Sequence, residues 1–383
     1  MLRCLILIGT RPEALKMGPL IRAMAKEATS FEGMVVSSGQ HRELLCPVIS
    51  FFGIRPDVEM KLMQPEQSPL SLTQAMLSAF PEVLSQIAPD ICLVHGDTTT
   101  AYAGALCAFY AGVPVVHVEA GLRTDCLYAP YPEEYNRRAI DAMSDCLFAP
   151  TKEAAGRLLR EGHDPGTVHL VGNTATDTVR WCLEAPKVAR PSRLQGKRLV
   201  LLTLHRREMS ERARIGLLRG IRRAIEGRRD VMLLWPVHPS PAVGRTAHAV
   251  FDGCHEAMLV PPMEAPAFQQ LLAEATLLLT DSGGLQEEAT YLGIPTLVLR
   301  DTTERREGIG EGILRLAGTD GEAVEGEIRR LLDNEEERAG MAHPSAVYGD
   351  GRVSERILTV LKRGNRQADS GCRCGEPAAD GMV

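Results

Sequence analysis

Residues 277–288, LLLTDSGGLQEE, decide how the rest of the chain is read. Three leucines running into Thr280-Asp281 make a short buried strand, Ser282-Gly283-Gly284 makes a tight turn, and the run that follows favours helix. A strand, a turn and a helix start in this order build a corner suited to anions. The N–H groups of a helix's first turn have no intrahelical partner and point outward. The helix dipole adds positive character, and glycines let a phosphate approach closely. Glu288 lies four residues past Gly284 on the same helix face, placed to accept hydrogen bonds from a sugar carried by that phosphate. The competing reading is an ordinary cap, in which the Ser282 hydroxyl satisfies the same backbone donors.

The same alternation recurs along the chain. Apolar strands are expected at 2–8, 34–38, 91–95, 113–118, 146–149 and 168–171. Helices are expected over 13–26, from Arg42, from Ser71, over 99–110, from Glu133 and from Thr151. The pattern restarts with strands at 199–203, 231–235, 258–260, 277–280 and 296–299, each followed by a turn and a helix. Short strands without polar alternation, separated by helices, imply parallel sheets covered on both faces. The economical fold is α/β with two doubly wound, Rossmann-like domains and a cleft between them. The first is expected to comprise 1–172 plus 352–364, with a closing helix over 353–362 crossing back; the second 173–351; and 365–383 a disordered polar tail. Ligands of such sheets bind beyond the carboxyl ends of the strands, here facing the seam at Gly172-Asn173-Thr174.

Composition narrows the function classes. Hydrophobic residues are 44% and charged residues 24%, enough to build a core and to exclude global disorder. The net charge is −6, and aromatics are only 4% without any long basic stripe, which argues against nucleic-acid binding. No apolar run approaches the roughly 20 residues of a membrane helix, and 5–8 is too short for a signal core. The ten cysteines have no regular spacing, and Cys92 and Cys146 sit within apolar runs, so a reduced, cytoplasmic chain is expected. Cys372 and Cys374 fall in the tail.

The candidate chemistry lies at strand ends. After the first strand stand Gly9-Thr10-Arg11-Pro12-Glu13, with Lys16 one helical turn on; this is not the glycine fingerprint of a dinucleotide site, yet it suits an anion. Asp97 follows the strand at 91–95, Glu119 follows the strand at 113–118, and Glu133 opens a helix with Arg137 four residues later. Each has an ordinary role available: Asp97 as N-cap, Glu119 as partner of Arg123, Glu133 as complement to the helix dipole. Three carboxylates along one sheet edge nevertheless look like acid/base equipment, with Arg137 placed to hold Glu133 ionised. In the second half His205, His238 and Arg305 end strands around the Ser-Gly-Gly corner, where they suit a diphosphate. A metal held by His205 and His238 lacks a third ligand at suitable spacing. Phe268 reads as core, or alternatively as a stacking surface for a base.

Taken in order, the blocks Gly9-Thr10-Arg11-Pro12-Glu13-Ala14, His95-Gly96-Asp97-Thr98-Thr99-Thr100, His117-Val118-Glu119-Ala120-Gly121-Leu122-Arg123-Thr124, Pro132-Glu133-Glu134, His205-Arg206-Arg207-Glu208, Asp281-Ser282-Gly283-Gly284 and Tyr348-Gly349-Asp350-Gly351 resemble the non-hydrolysing UDP-N-acetylglucosamine 2-epimerases. The resemblance implies the glycosyltransferase-B (GT-B) architecture, a UDP-sugar substrate, a homodimer, and neither cofactor nor obligatory metal. It implies Ser282, Gly283 and Gly284 at the phosphates, Glu288 at the ribose and Phe268 near uracil, with Arg11, His205, His238 and Arg305 around the diphosphate. Asp97, Glu119 and Glu133 become the acid/base candidates, with Lys16, Arg137 and His205 beside them.

Several positions depart from that family pattern. Arg306 stands where proline is usual, Ile313 where threonine is common, and Met209 where asparagine or serine follows the His-Arg-Arg-Glu block. Some members bind a second UDP-sugar as activator. Gln40 and His41 match that region, but Glu43 and Glu66 replace Gln and Arg, so activation is expected to be weak or absent. Rival readings are an epimerase of a related UDP-sugar, a hydrolysing epimerase, a UDP-sugar sensor and a GT-B glycosyltransferase. The hydrolysing subclass is disfavoured by Asp97-Thr98 and Glu119-Ala120-Gly121, and the sensor by the presence of all three carboxylates.

Overall fold

A computed structural model describes residues 1–39, 48–63, 67–124, 126–204, 209–238 and 240–369. Seven strands, β1 (Leu2–Ile8), β2 (Phe31–Ser37), β3 (Val58–Glu59), β4 (Ile91–His95), β5 (Val115–Val118), β6 (Cys146–Ala149) and β7 (Val168–Leu170), form one sheet in the order β3-β2-β1-β4-β5-β6-β7. Six more, β8 (Arg198–Thr203), β9 (Val231–Pro236), β10 (Ala257–Val260), β11 (Leu277–Thr280), β12 (Thr296–Val298) and β13 (Leu314–Leu316), form a second in the order β10-β9-β8-β11-β12-β13. Every pairing is parallel. Two Rossmann-like sheets with interleaved helices make this a GT-B type α/β fold.

The reason is visible in β1. Ile6 and Ile8 face one core with Met17, Leu20 and Ile357, while Leu5 and Leu7 face another with Met76 and Phe80. A strand apolar on both faces must be covered on both faces. In each sheet the order reverses between two neighbouring strands, β1 and β4 in the first, β8 and β11 in the second. Loops leaving these pairs diverge to opposite faces and open a crevice between them. The polar clusters after β1, β4 and β11 therefore sit at the two crevices.

Helix Ala175–Glu184 lies at the seam, touching helices Arg11–Lys26 and Val353–Asp369 on one side and Ala265–Ala273 and Gly283–Leu292 on the other. Thr178 donates to the Leu15 carbonyl (2.5 Å), and the Gln270 amide donates to Cys182 O (3.2 Å). Asp177 accepts from Val353 N (2.9 Å) and Ser354 N (2.7 Å), capping the closing helix. Val353, Ile357, Leu358 and Leu361 of that helix are buried in the first sheet's core, so the chain's end returns to its beginning.

The structure revises some expectations. The closing helix runs to Asp369, beyond the expected end at 362. Strands β3 (2 residues) and β13 (3 residues) were not anticipated. The helix expected from Arg42 falls on residues outside those described, as do Gln40, His41, Glu43, Glu66, His205, Arg206, Arg207, Glu208, Cys372 and Cys374. The cysteines of the described residues are free, and Cys92 is buried. Among those residues no helix is long and apolar enough to cross a membrane.

Candidate active site

Three loops of the first sheet converge beyond its carboxyl edge. A Cβ on Gly9 would stand 2.5 Å from Thr100 Oγ1 and 2.7 Å from Ser38 Oγ, so the loops after β1, β2 and β4 meet only because residue 9 has no side chain. Glu13 ties this edge together. Its carboxylate accepts from Gly9 N (3.0 Å), Thr10 N (2.6 Å), Thr10 Oγ1 (2.8 Å) and Thr98 Oγ1 (2.7 Å), completing a capping box that starts helix Arg11–Lys26. That helix then carries Lys16 inward.

Glu119 stands where β5 ends, with φ +74°, a left-handed backbone costing a side-chain-bearing residue about 1–3 kcal/mol. The turn is held by Glu119 N and Ala120 N, both donating to Phe148 O (3.1 and 3.0 Å). It points the carboxylate at Lys16 Nζ, which donates to Oε1 in a buried ion pair, and at Asn173 Nδ2, which donates to the same oxygen at 2.6 Å. His95 Nε2 lies 4.0 Å from the other oxygen, and Gly96 leaves room for it, since a Cβ there would sit 3.2 Å from Oε2. Burial opposes ionisation of Glu119, but Lys16 and Arg305 outweigh it and hold the carboxyl well below its ordinary range. Burial drives His95 down to about 3, so it is neutral at neutral pH.

Asp97 follows β4. It is not the N-cap of helix Thr99–Tyr110; that role belongs to Thr98, which accepts from Ala101 N at 3.0 Å. Asp97 instead takes Arg137, whose Nε donates to Oδ2 at 3.1 Å and whose Nη2 donates to the same oxygen. Arg137 also donates to Glu134 (3.3 Å), a buried carboxylate that accepts from Thr124 N (2.8 Å) and Arg138 Nε (2.7 Å). Arg137 thus turns toward Asp97 and Glu134, the helix pointing residue 134 inward and leaving 133 half-buried at its first turn. The alternative pairing of Glu119 with Arg123 fails. Arg123 goes to Asp141 (2.7 Å) and Glu161 (2.9 Å).

The second sheet contributes the corner after β11. Ser282 is the N-cap of helix Gly283–Leu292, but its side chain makes no capping hydrogen bond; its backbone N–H donates to Thr280 Oγ1 at 3.0 Å. The serine hydroxyl thus does not occupy the first-turn donors. Arg305 lies against this turn: a Cβ on Gly283 would be 3.2 Å from the guanidinium carbon, while one on Gly284 would meet nothing within 4 Å. Arg305 Nε donates to Glu287 (2.9 Å) and Nη1 to Glu304 (2.6 Å). Burial opposes the charge on Arg305, yet Glu287, Glu304 and Glu119 raise its pKa further. Glu304 is lowered to about 2, burial being outweighed by Arg305 and Arg300.

The two halves meet in a cavity of about 230 Å³ lined by Lys16, His95, Asp97, Glu119 and Arg137 on one side and by Gly283, Gly284, Glu304 and Arg305 on the other. Lys16 Nζ lies 3.8 Å from Glu287 Oε2, and Arg11 Nη2 donates to Met263 O at 3.1 Å, both across the seam. Glu288 accepts from Gln269, and its carboxyl is pushed up to about 7, chiefly by burial. Phe268 packs at the edge of the core around Leu271 and Leu278, with part of its surface open. His238 is exposed and accepts from Ser240 N (3.2 Å); Glu133, Phe268, Glu288 and His238 do not line the cavity.

Sequence reasoning passed over His95, Glu134, Asn173, Glu287 and Glu304, although all lie in or beside the quoted blocks. Asn173 was seen only as the seam. Glu287 was hidden by the i, i+4 argument that selects its neighbour.

The chain matches the family model for UDP-N-acetylglucosamine 2-epimerase over residues 23–362. It is 41% identical to the Bacillus subtilis UDP-N-acetylglucosamine 2-epimerase over 94% of its own length and 95% of the relative's. Its fold is similar to that of the 2-epimerase of Neisseria meningitidis solved bound to UDP-GlcNAc, with a TM-score of 0.89, 36% identity, and coverage of 94% and 100% of the two chains. A Listeria monocytogenes structure of the same description gives a TM-score of 0.88 at 41% identity, covering 96% and 97%. Matched by that family's model over most of its length and 41% identical to one of its members, the chain belongs to the UDP-N-acetylglucosamine 2-epimerase family.

Proposed function

We propose that the protein is a non-hydrolysing epimerase that interconverts UDP-GlcNAc and UDP-ManNAc by anti elimination and readdition of UDP. The C2 proton of the hexose has no neighbouring carbonyl to acidify it, so direct abstraction is unfavourable. In elimination, a carboxylate accepts the C2 proton as the C1–O bond breaks. The electron pair departs with UDP, leaving 2-acetamidoglucal. Readdition returns the diphosphate oxygen to C1 while C2 takes a proton on the opposite face.

The observation that carries this reading is the placement of Asp97 and Glu119 on one wall of a small cavity whose other wall is the Gly283-Gly284 corner and Arg305. Each carboxylate is paired with its own cation, Arg137 or Lys16. The opposite wall supplies positive charge where negative charge develops on the leaving diphosphate. At about 230 Å³ the cavity is below the ~300–1,000 Å³ usual for whole-ligand sites, which suits the reacting end of a nucleotide sugar. The nucleoside is assigned to Phe268 and Glu288, with Ser282, Arg11, His238 and His205 flanking the diphosphate and Glu133 as a third acid/base group. The proposal extends to domains at 1–172 plus 352–364 and 173–351, to a cytoplasmic homodimer, and to supply of surface-polysaccharide precursors.

The test is NMR of purified protein with UDP-GlcNAc in heavy water. Deuterium at C2 of the hexose and a UDP-ManNAc fraction are expected. Free ManNAc, or recovery of UDP-GlcNAc without C2 exchange, overturns the assignment.

A further inference from the structure

We propose that Glu287 is a positioning residue that couples capture of the diphosphate at Gly283 to the release of Glu119 as proton acceptor. The inference rests on the epimerase reading above and deepens it. Glu287 is 1% exposed, and its two oxygens look in different directions. Oε1 accepts from Arg305 Nε at 2.9 Å; Oε2 has no hydrogen-bond donor among the described residues and lies 3.8 Å from Lys16 Nζ. Lys16 in turn donates to Glu119. A continuous row therefore runs Arg305, Glu287, Lys16, Glu119, from the second sheet's corner to the first sheet's carboxylate.

Charge decides which way the row relaxes. Without ligand, Lys16 serves Glu119, Arg300 and Arg305 both serve Glu304, and Glu287 holds Arg305 with Lys16 at longer range. Arg305 abuts the first residue of helix Gly283–Leu292, so a diphosphate seated on those N–H groups meets its guanidinium. Burial raises the Glu287 carboxyl above its ordinary range against the pull of Arg305 and Lys16, so when Arg305 is drawn to the phosphate its charge depends, among the described residues, on Lys16. Moving Nζ the remaining ångström to Oε2 satisfies Glu287 and strips Glu119 of its strongest partner. Glu119 then keeps Asn173 and the neutral His95, and becomes a stronger proton acceptor when the leaving group is in place. The other groups near Glu287 do not substitute for Lys16. Glu304, Glu288 and Glu307 are acidic, and the buried Tyr348 hydroxyl donates toward Glu307 at 3.5 Å.

The arrangement makes an unusual prediction for Glu287→Gln. Freed of a competing carboxylate, Arg305 serves the phosphate better, while Lys16 stays on Glu119. UDP affinity, measured calorimetrically, is expected to rise about threefold or more. Steady-state kcat is expected to fall at least tenfold, with the acidic limb of its pH profile displaced to lower pH. Glu287→Asp is expected to recover most of kcat. A purely structural role would lower affinity and turnover together, so parallel losses, or an affinity and kcat both within twofold of the unsubstituted protein, overturn the proposal. If the unsubstituted protein fails to exchange C2 hydrogen, the reaction assignment falls, while the rise in UDP affinity still decides whether Arg305 is shared between Glu287 and phosphate.

Discussion

Gly284→Ala separates the two readings of the Ser-Gly-Gly corner. Gly284 has an ordinary negative φ within helix Gly283–Leu292, and an added Cβ would meet no atom within 4 Å. The folded protein therefore has room for the methyl group. Restricting the unfolded chain then favours folding by about 0.4–1 kcal/mol. The space the methyl enters belongs to the cavity, over the first-turn N–H groups where a phosphate would rest. Displacing one charge-assisted hydrogen bond costs about 1.5–3 kcal/mol, or roughly 10- to 150-fold in affinity. Stability and binding should thus move in opposite directions. Chemical denaturation should show an equal or higher midpoint, and calorimetry with UDP at least tenfold weaker binding. UDP affinity within twofold of the unsubstituted protein would refute the placement of phosphate at this corner. Gly283→Ala is the contrast: its Cβ would stand 3.1 Å from Glu304 Oε1 and 3.2 Å from Arg305 Cζ, so it should weaken binding and stability together.

Asp97→Asn and Glu119→Gln should each cut C2 exchange by ~10²-fold or more with modest loss of UDP affinity; near-full rates in both variants would remove them from the chemistry. Burial holds the folded Glu288 carboxyl at about 7 against an ordinary 4.5. Protonation therefore favours the folded state. The stabilisation is complete below about 4.5 and is lost as pH rises through about 7, so Glu288→Gln should flatten the decline of denaturation midpoint across that window. An unchanged pH profile would contradict the burial argument. Asp177→Ala strips two buried backbone donors, Val353 N and Ser354 N, of their acceptor and should destabilise the protein by about 2 kcal/mol. Limited proteolysis should then cut first near the closing helix; cleavage elsewhere would mean that Asp177 does not anchor it.

The chain's own pattern settled the elements and their class. Apolar runs of four to seven residues bounded by turns, such as ICLVH and LLLT, are readable because burial on both faces demands them. The strand-end clusters were legible for the same reason: polar residues directly after a buried run must lie at the sheet's edge. Strands β3 and β13 were not read from that pattern.

Pairings were a different matter. Local spacing offered Arg123 to Glu119, because residues four apart share a turn face. The folded protein gives Arg137 to Asp97, 40 positions away, and Lys16 to Glu119, 103 positions away. It also brings Glu287 within 3.8 Å of Lys16 across the seam. Strand order places the loops after β1 and β4 side by side at one crevice and aims the β11 corner at them, and no local periodicity encodes that order. Which residues would be polar at an edge is a property of the sequence; which cation each buried carboxylate holds is set by long-range packing, since only the assembled sheets determine which charges leave water together.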